Sequence, residues 1–380
     1  MSANETELTT AQAYLVLNAL PNIGPITLNR LLTELGGDPR NVFTAGARKL
    51  ESVRGVGPVI SASITGWREL FDLAREEERM AQANVSFITT PDAAYPKLLR
   101  EINDPPIGLY RKGSHSFDQP CIAIVGSRRT TLYGQSVAKK LGAELARLGF
   151  CVVSGLARGI DSAAHEGALS VGGKTVAVLG TGIDLIYPPE NLALYRQIEE
   201  TGAIVSEFPF GRRADRQSFA MRNRIIAGIC DGVVVVESDV SGGSMITAKF
   251  AGEQGRLLFA VPGRIDQVTS AGCHQLIRDG ATLLTGVDDI LNELNYLDGL
   301  RPQAIPEKVR TQAGPVLAAA QLSAEEQKIF AGFAGGALVS RDTLADQTGL
   351  PVAQLSGTLM MLELKRLIVK RADGTFEARG

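Results

Sequence analysis

Several residue types that mark common classes of protein are scarce in this sequence of 380 residues, which has four cysteines, three histidines and one tryptophan. Cys121, Cys151, Cys230 and Cys273 form no CxxC pair, and three of them lie in or beside apolar runs. We interpret them as reduced core residues of a cytosolic protein. No apolar run approaches the roughly 18 residues that a membrane span requires, and the polar, acidic N-terminus does not resemble a signal peptide. We therefore expect a cytoplasmic protein without membrane contact.

Familiar cofactor and catalytic motifs are also missing. The sequence has neither the G-x-G-x-x-G spacing of a dinucleotide site nor a Walker A sequence. His165-Glu166 lacks the second histidine of H-E-x-x-H, and Asp161 is better placed to orient the loop before it than to act as an acid or base. Cys273 and His274 are neighbours in sequence, which is unusual for a nucleophile and its base. We predict no catalytic residue, no metal site and no cofactor.

A strong overall charge is absent, because the formal net charge is −2. Binding to nucleic acid would therefore depend on a local patch. Residues 211–224 provide one, with five arginines against one aspartate. Arg222 and Arg224 stand at the front of an apolar segment, where a helix macrodipole disfavours cations unless a polyanion is bound. The alternative is that both arginines reach into solvent or pair with nearby acids.

The central part of the chain, residues 113–296, alternates strand-like apolar runs with helical patterns. The runs are CIAIV, FCVV, TVAVL, AIV, GVVVV and RLLFAV, and each precedes a loop or a helical pattern. This alternation predicts an α/β fold with a Rossmann-like parallel sheet. Ligands of such sheets bind at the carboxyl ends of the strands. Gly126-Ser127-Arg128, Ser154-Gly155 and Arg158 fall at these ends, so we expect an anion-binding site there.

The flanking regions have different patterns. Residues 1–112 contain two similar segments, centred on Gly24-Pro25 and Gly57-Pro58, which predict a helical helix-hairpin-helix, SAM-like domain followed by a short strand at 85–89 and a connector. These turns suit phosphate binding at helix starts, although Gly-Pro also makes ordinary helix corners.

Residues 297–320 read as a linker. Residues 321–380 predict three helices and a hairpin turning at Asp373-Gly374, which is the pattern of a winged-helix domain. Its third helix has only Lys365 and Arg366, so protein interaction or a weak auxiliary DNA contact is favoured.

Eight motifs of the central domain together resemble the DNA-processing protein A (Smf) family, in order and in spacing. They are IVGSR (124–128), SGLARGID (154–161), YP (187–188), SE (206–207), FAMRNRIIAG (219–228), VVE (235–237), SGGSMITA (241–248) and FAVPG (259–263). Thr181, Cys230 and Gly243 depart from the residues most often found at their positions. None of these departures removes an arginine.

The resemblance implies a non-enzymatic bacterial protein that binds and protects incoming single-stranded DNA and loads the RecA recombinase on it in natural transformation (competence) and DNA recombination. It further implies a homodimer through residues 272–291, where Leu276, Ile277, Leu283 and Leu284 are candidates for either interface or core. The arginines and Lys249 would neutralise phosphates, and Phe219 would stack on a base or else be a plain core residue. The implied DNA-contacting residues are Gly126, Ser127, Arg128, Ser154, Gly155, Arg158, Phe219, Arg222, Asn223, Arg224, Gly242, Ser244 and Lys249.

Two other functions are compatible with the central domain. Its predicted fold is similar to that of nucleoside monophosphate phosphoribohydrolases, but their loop P-G-G-x-G-T-x-x-E is replaced here by residues 241–249, which end in Lys249 instead of glutamate. The chain could alternatively sense a small nucleotide and use the winged helix as its output.

Overall fold

The computed structural model of the chain describes residues 7–294, 322–333, 339–365, 367–371 and 374–378. It has two compact units. The larger contains the described residues before 130 and those from 138 to 294, and the smaller contains residues 130–137 and the described residues from 322 onward. The predicted linker at 297–320 lies outside the described residues.

Short helices make up the described chain before residue 86. They are α1 (Thr10–Ala19), α2 (Pro25–Glu34), α3 (Arg40–Thr44), α4 (Ala47–Glu51), α5 (Pro58–Thr65), α6 (Trp67–Leu70) and α7 (Leu73–Gln82). Gly24 and Gly57 are the N-caps of α2 and α5, with nearly equal backbone angles (φ −103°, ψ 175° and φ −101°, ψ 179°). Proline follows each of them, where its missing N–H would have no partner anyway. The two predicted Gly-Pro turns therefore share one conformation.

A nine-stranded sheet forms the centre of the larger unit. Its strands are β1 (Ser86–Thr89), β2 (Gly108–Gly113), β3 (Cys121–Val125), β4 (Cys151–Ser154), β5 (Thr175–Leu179), β6 (Ala203–Ser206), β7 (Gly232–Val235), β8 (Leu257–Ala260) and β9 (Thr282–Leu283). They are arranged in the order β1-β2-β6-β5-β4-β3-β7-β8-β9. Strand β2 is antiparallel to both β1 and β6, and the remaining pairs are parallel. The predicted Rossmann-like sheet is confirmed.

The sheet begins earlier in the chain than the sequence pattern indicates. Residues 108–113 were expected to be part of a connector, but they pair with β6 and bury Leu109 and Tyr110 completely. The sequence GLYRKG contains no β-branched residue, so it lacks the usual composition of a strand. The domain boundary expected after residue 112 therefore falls at the end of β2, inside the sheet.

Helices cover both faces of the sheet, and a separate apolar cluster lies on each face. The helices of this part are α8 (Lys97–Arg100), α9 (Leu132–Arg147), α10 (Ile160–Ser170), α11 (Leu192–Thr201), α12 (Arg216–Ile229), α13 (Gly243–Glu253), α14 (Val268–Arg278) and α15 (Val287–Leu294). Every residue of β3, β5 and β7 is buried, which explains their continuous apolar sequences. Full burial of each such valine, leucine or isoleucine contributes about 1.5–3 kcal/mol. The layered arrangement leaves the loops at the strand ends free to form a site.

The smaller unit has the predicted winged-helix elements. They are α16 (Ala324–Ala331), α17 (Arg341–Thr348), α18 (Val352–Leu364) and an antiparallel hairpin of β10 (Ile368–Lys370) and β11 (Phe376–Ala378). Ile329, Leu344, Leu355 and Ile368 are buried together in its core. Within the described part of the chain, no helix is both long and apolar enough to span a membrane.

Candidate nucleic-acid interface

An open pocket of about 580 Å³ lies over the carboxyl ends of the parallel strands. Its walls are the loop after β3 (126–129), the exposed face of α12 (216–226), and the loop after β7 with the start of α13 (238–247). This is the edge at which the sequence predicts a ligand site. Arg128, Arg129, Arg216 and Arg222 line the pocket, together with Asp161 and Asp239. The pocket therefore contains more cationic than anionic side chains and suits an anionic ligand.

Arg222 forms the floor of this pocket. Its side chain is 3% exposed, and Nη1 donates hydrogen bonds to the carbonyl oxygens of Gly155 (2.6 Å) and Val178. These carbonyls belong to the ends of β4 and β5, so Arg222 bridges two neighbouring strands. Burial lowers the pKa of Arg222 to about 10, while the charge of Asp161 acts in the opposite direction. The guanidinium stays charged at neutral pH and places a fixed positive charge beneath the ligand.

Asp161 orients the loop that Arg222 contacts. Its Oδ2 accepts hydrogen bonds from the backbone N–H groups of Gly155 (3.1 Å) and Ala157 (3.3 Å). Burial raises the pKa of this carboxyl, while the charge of Arg222 and these two hydrogen bonds lower it. The predicted role of Asp161, to orient the loop before α10, agrees with this geometry.

Phe219 lies between a cation and a second aromatic ring. Cζ of Arg128 is 4.8 Å from the centre of its ring, and the ring of Tyr187 is 5.5 Å away at an angle of 46°. Phe219 is partly exposed, so it is not a plain core residue. A small adjoining pocket is lined by these three side chains and by Arg158, whose Nε donates to Glu190. A partly exposed aromatic ring beside two arginines suits a nucleobase and its phosphates.

The glycines of the loops permit close packing. A Cβ on Gly126 would lie 2.6 Å from Cγ1 of Ile160, and one on Gly242 would lie 2.3 Å from Oγ of Ser238. Ser244 Oγ also donates to Ser238 Oγ (2.8 Å). Gly242 is the N-cap of α13 and supplies no side chain to cap it, so the pocket contains an uncapped helix start, where backbone N–H groups favour anions.

Most of the residues predicted to contact DNA line one of these two pockets. They are Gly126, Ser127, Arg128, Gly155, Arg158, Phe219, Arg222, Asn223, Gly242 and Ser244. Ser154, Arg224 and Lys249 do not line either of them. Ser154 is fully buried, and its hydroxyl donates to the carbonyl of Ile124 (2.6 Å).

The structure places Arg224 and Lys249 outside both pockets. Arg224 follows Arg222 by two residues, about 200° around a helix, so it points away from the pocket. It is 3% exposed and forms ion pairs with Glu207 and with Asp104 (3.3 Å), which is the alternative that the sequence left open. Lys249 is exposed and lies 3.6 Å from Glu253. Arg222 and Arg224 both lie within α12, which begins at Arg216 with Asp215 as its N-cap. The argument that a helix macrodipole disfavours cations at a helix start therefore does not apply to them.

Sequence reasoning missed several residues of the two pockets. Tyr187 was noted only as part of a motif, although it contacts the ring of Phe219. Arg216, and Arg129 beside the predicted contact Arg128, line the larger pocket but are absent from the predicted DNA-contacting residues. The excess of arginine in residues 211–224 pointed to Arg216, but charge alone could not separate it from its neighbours.

The fold and the pocket define a class of protein. Its members have a Rossmann-like sheet with a pocket for an anionic ligand at the strand ends, and a winged-helix domain in the same chain. The family model "DNA recombination-mediator protein A" matches residues 86–295, and the "DprA winged helix domain" model matches residues 313–374. The chain belongs to the DNA-processing protein A (DprA/Smf) family.

Relatives from several bacteria are similar along much of the chain. Protein Smf of Synechocystis sp. is 34% identical over an alignment 399 residues long, which covers 97% of this chain and 99% of that protein. DNA processing protein DprA of Streptococcus pneumoniae is 44% identical over 206 residues, or 54% of this chain and 73% of the relative.

Two solved structures have similar folds. The DprA structure from Streptococcus pneumoniae has a TM-score of 0.63 and 33% identity, covering 76% of this chain and 99% of its own. The DNA processing protein A structure from Helicobacter pylori, described with a unique single-stranded DNA binding mode, has a TM-score of 0.51 and 32% identity, covering 56% of this chain and 96% of its own.

Proposed function

We propose that this protein binds single-stranded DNA without sequence preference and loads RecA recombinase on it, thereby protecting incoming DNA in transformation and recombination. The observation that carries the proposal is the pocket at the strand ends, where Arg128, Arg129 and Arg222 line the same pocket as the partly exposed ring of Phe219. Cations can neutralise phosphates of any sequence, and an aromatic face can stack on any base. The single-stranded DNA binding of the Helicobacter pylori relative supports the same function.

The DNA would pass along the pocket with its phosphates over Arg128 and Arg222. The uncapped start of α13 at Gly242 would receive a further phosphate through its backbone N–H groups. None of these contacts reads a base edge, so we expect little sequence preference. Because Arg224 and Lys249 do not line the pocket, we assign them no direct role in this path.

The test is the salt dependence of binding to a fluorescein-labelled oligo(dT), followed by fluorescence anisotropy. For single strands, log affinity falls with log salt by about 0.7 per phosphate neutralised. Arg128→Ala should weaken binding and reduce that slope by about 0.7. Arg75→Ala is the matched control, because Arg75 is exposed on α7, outside both pockets. Equal affinities and slopes for the two variants would contradict the assigned pocket.

RecA loading is tested separately, by RecA ATP hydrolysis on DNA that is coated with single-strand-binding protein. The wild type should shorten the lag before hydrolysis, and Arg128→Ala should do so less. Incubation with AMP tests the phosphoribohydrolase hypothesis. Release of adenine by the purified protein would favour that hypothesis instead. A melting-temperature shift with mononucleotides but not with oligonucleotides would favour the sensor hypothesis.

We further propose a homodimer through residues 272–291. Leu276 and Leu284 are buried within the chain, whereas Leu283 is 45% exposed and lies on β9, the last strand of the sheet. Leu283 is therefore the better interface candidate. Leu283→Asp should shift the sedimentation coefficient from dimer to monomer, while Leu192→Asp, on the exposed start of α11, should not. A monomeric wild type would contradict the dimer.

A further inference from the structure

Two cysteines and one histidine come together at the edge of the sheet opposite the pocket. Among the described residues, the side-chain ligand atoms of His115, Cys121 and Cys151 all lie within 4.8 Å of one another, and all three side chains are buried. Cys121 and Cys151 are the first residues of β3 and β4. The cluster is thus at the amino ends of the parallel strands, and neither pocket includes any of its residues.

The register of the sheet places the two thiols side by side. Cys121 and Cys151 are direct partners in the parallel pairing of β3 with β4, so their side chains project from the same face. The side chains of Cys151 and His115 both interact with the Cys121 thiol, and Cys121 Sγ also donates a hydrogen bond to the carbonyl oxygen of Gln119 (3.3 Å). Breaking that hydrogen bond would cost little and would leave the sulfur available to bind a cation.

His115 completes the set from the loop between β2 and β3. Its backbone N–H donates to the carbonyl of Gly202 (3.2 Å), and its ring packs edge-on against Phe117 at 5.1 Å. The side chain is 5% exposed, yet Nε2 has no hydrogen-bond partner. A buried polar atom without a partner is costly, and a cation bound at this nitrogen would remove that cost.

We propose that His115, Cys121 and Cys151 bind one metal ion of the Zn²⁺ or Cu⁺ class, which fastens the 114–120 loop to the sheet. Thiolate sulfur and imidazole nitrogen are the donors that these two ions prefer. Metal–ligand distances of about 2.3 Å for sulfur and 2.0–2.1 Å for nitrogen require donor atoms roughly 3.6–3.8 Å apart. The three donors lie within 4.8 Å of one another, so they need to approach by about 1.2 Å at most. Binding releases the two thiol protons to solvent.

The two ions differ in what else they need at this site. Cu⁺ is satisfied by three ligands, whereas Zn²⁺ prefers four and would take a small exogenous ligand as well. The sequence alone predicts the cysteines to be reduced core residues, because none forms a CxxC pair and three lie in or beside apolar runs. Only the strand register and the path of the loop bring them together.

The experiment uses the full-length protein, purified under reducing conditions without chelator. Elemental analysis should find about one zinc or copper per chain. After metal removal, Zn²⁺ is titrated against a coloured chelator and Cu⁺ against a Cu⁺-specific chelator, which identifies the preferred ion. Cys121→Ser and Cys151→Ser should abolish tight binding, and His115→Gln should weaken it at least tenfold. Cys273→Ser is the matched control, since Cys273 is a buried cysteine on α14, outside the cluster.

Three results would overturn the proposal. The wild type could bind neither ion in a one-to-one ratio, Cys273→Ser could lose as much affinity as Cys121→Ser, or a thiol count in denaturant could show a disulfide in place of four free thiols. Circular dichroism checks the fold of each variant. If the serine variants fail to fold, His115→Gln decides, because the added ion should raise the melting temperature of the wild type but not of this variant. Affinity for oligo(dT) should be the same for His115→Gln and wild type, so this test is independent of the DNA pocket.

Discussion

Gly155 and Arg222 fit together because Gly155 has no side chain. A Cβ on Gly155 would lie 2.0 Å from Nη1 and 2.5 Å from Cζ of Arg222, well inside contact distance. The same Nη1 donates to the carbonyl oxygen of Gly155 at 2.6 Å. A buried cation is thus held against a bare stretch of backbone, at the floor of the proposed DNA pocket.

Gly155→Ala should therefore displace Arg222 and weaken binding to oligo(dT). Loss of one hydrogen bond between the displaced Arg222 and a DNA phosphate costs about 1.5–3 kcal/mol of binding free energy. This corresponds to a roughly 10- to 150-fold higher Kd. Fluorescence anisotropy measures the effect. Gly252→Ala is the control, because Gly252 lies on α13 with no atom within 4 Å of an added Cβ. An unchanged Kd for Gly155→Ala would mean that Arg222 does not contribute to binding.

The comparison of Arg222 with Arg224 shows how far sequence can locate a site. The alternation of strands and loops correctly predicts which edge of the sheet carries the pocket, because parallel strands place their carboxyl ends together. The motif alone cannot say which arginine faces that pocket. This depends on which face of α12 each arginine occupies, and α12 begins at Arg216, six residues before Arg222, at a position without an apolar signal.

Other parts of the structure depend on long-range pairing and were not predictable from local pattern. Strand β2 has few residues of high strand propensity, and it forms because β1 and β6 flank it. The cluster of His115, Cys121 and Cys151 depends on register and on one loop. Periodicity and composition report neither of these.

Replacement of Phe219 should separate stacking from charge. Phe219→Leu keeps an apolar side chain but removes the aromatic face, so the affinity for oligo(dT) should fall by about 1–3 kcal/mol. Because Arg128 and Arg222 remain, the slope of log affinity against log salt should not change. Phe219→Tyr retains the ring and should bind nearly as well as the wild type. A change of slope in Phe219→Leu would show that the ring acts by positioning Arg128, 4.8 Å away.

Arg224 should govern stability and its dependence on pH. Its partner Glu207 is buried, and burial raises the pKa of that carboxyl while the charge of Arg224 lowers it. Arg224→Met removes the lowering charge and leaves a buried carboxylate unpaired, which costs about 3–5 kcal/mol near neutral pH. A carboxyl whose pKa is raised in the folded state contributes stability at low pH. That stability is lost as the pH rises through the raised pKa. The difference in unfolding free energy between variant and wild type should therefore grow from pH 5 to pH 7.

Urea denaturation followed by circular dichroism measures this difference. Adding Glu207→Gln to Arg224→Met removes the unpaired charge, so the double variant should recover part of the lost stability at pH 7. A cost that is the same at pH 5 and pH 7 would contradict the role assigned to Glu207. Affinity for oligo(dT) should change less in folded Arg224→Met than in Arg128→Ala, since Arg224 does not line the pocket.

His165 is buried as a neutral imidazole, and its hydrogen bonds fix the tautomer. Thr175 donates its hydroxyl proton to the carbonyl of Val152, so it can only accept from His165 Nδ1, at 2.6 Å. The proton is therefore on Nδ1, and the buried Nε2 has no hydrogen-bond partner. Burial, with a smaller contribution from the charge of Arg222, lowers the pKa of His165 from its ordinary 6.5 to about 3.

His165 should therefore destabilise the protein as the pH falls below 6.5. The unfolded chain gains a proton there and the folded chain does not, so stability that is present above pH 6.5 is lost toward pH 3 at up to about 1.4 kcal/mol per pH unit. His165→Asn keeps a hydrogen-bond donor near Nδ1 but does not titrate. Its stability at neutral pH should be lower, because the smaller side chain leaves space. Its free energy of unfolding should nevertheless fall less steeply than that of the wild type between pH 6 and pH 4 in urea denaturation. Parallel curves for the two proteins would mean that His165 is protonated in the folded state.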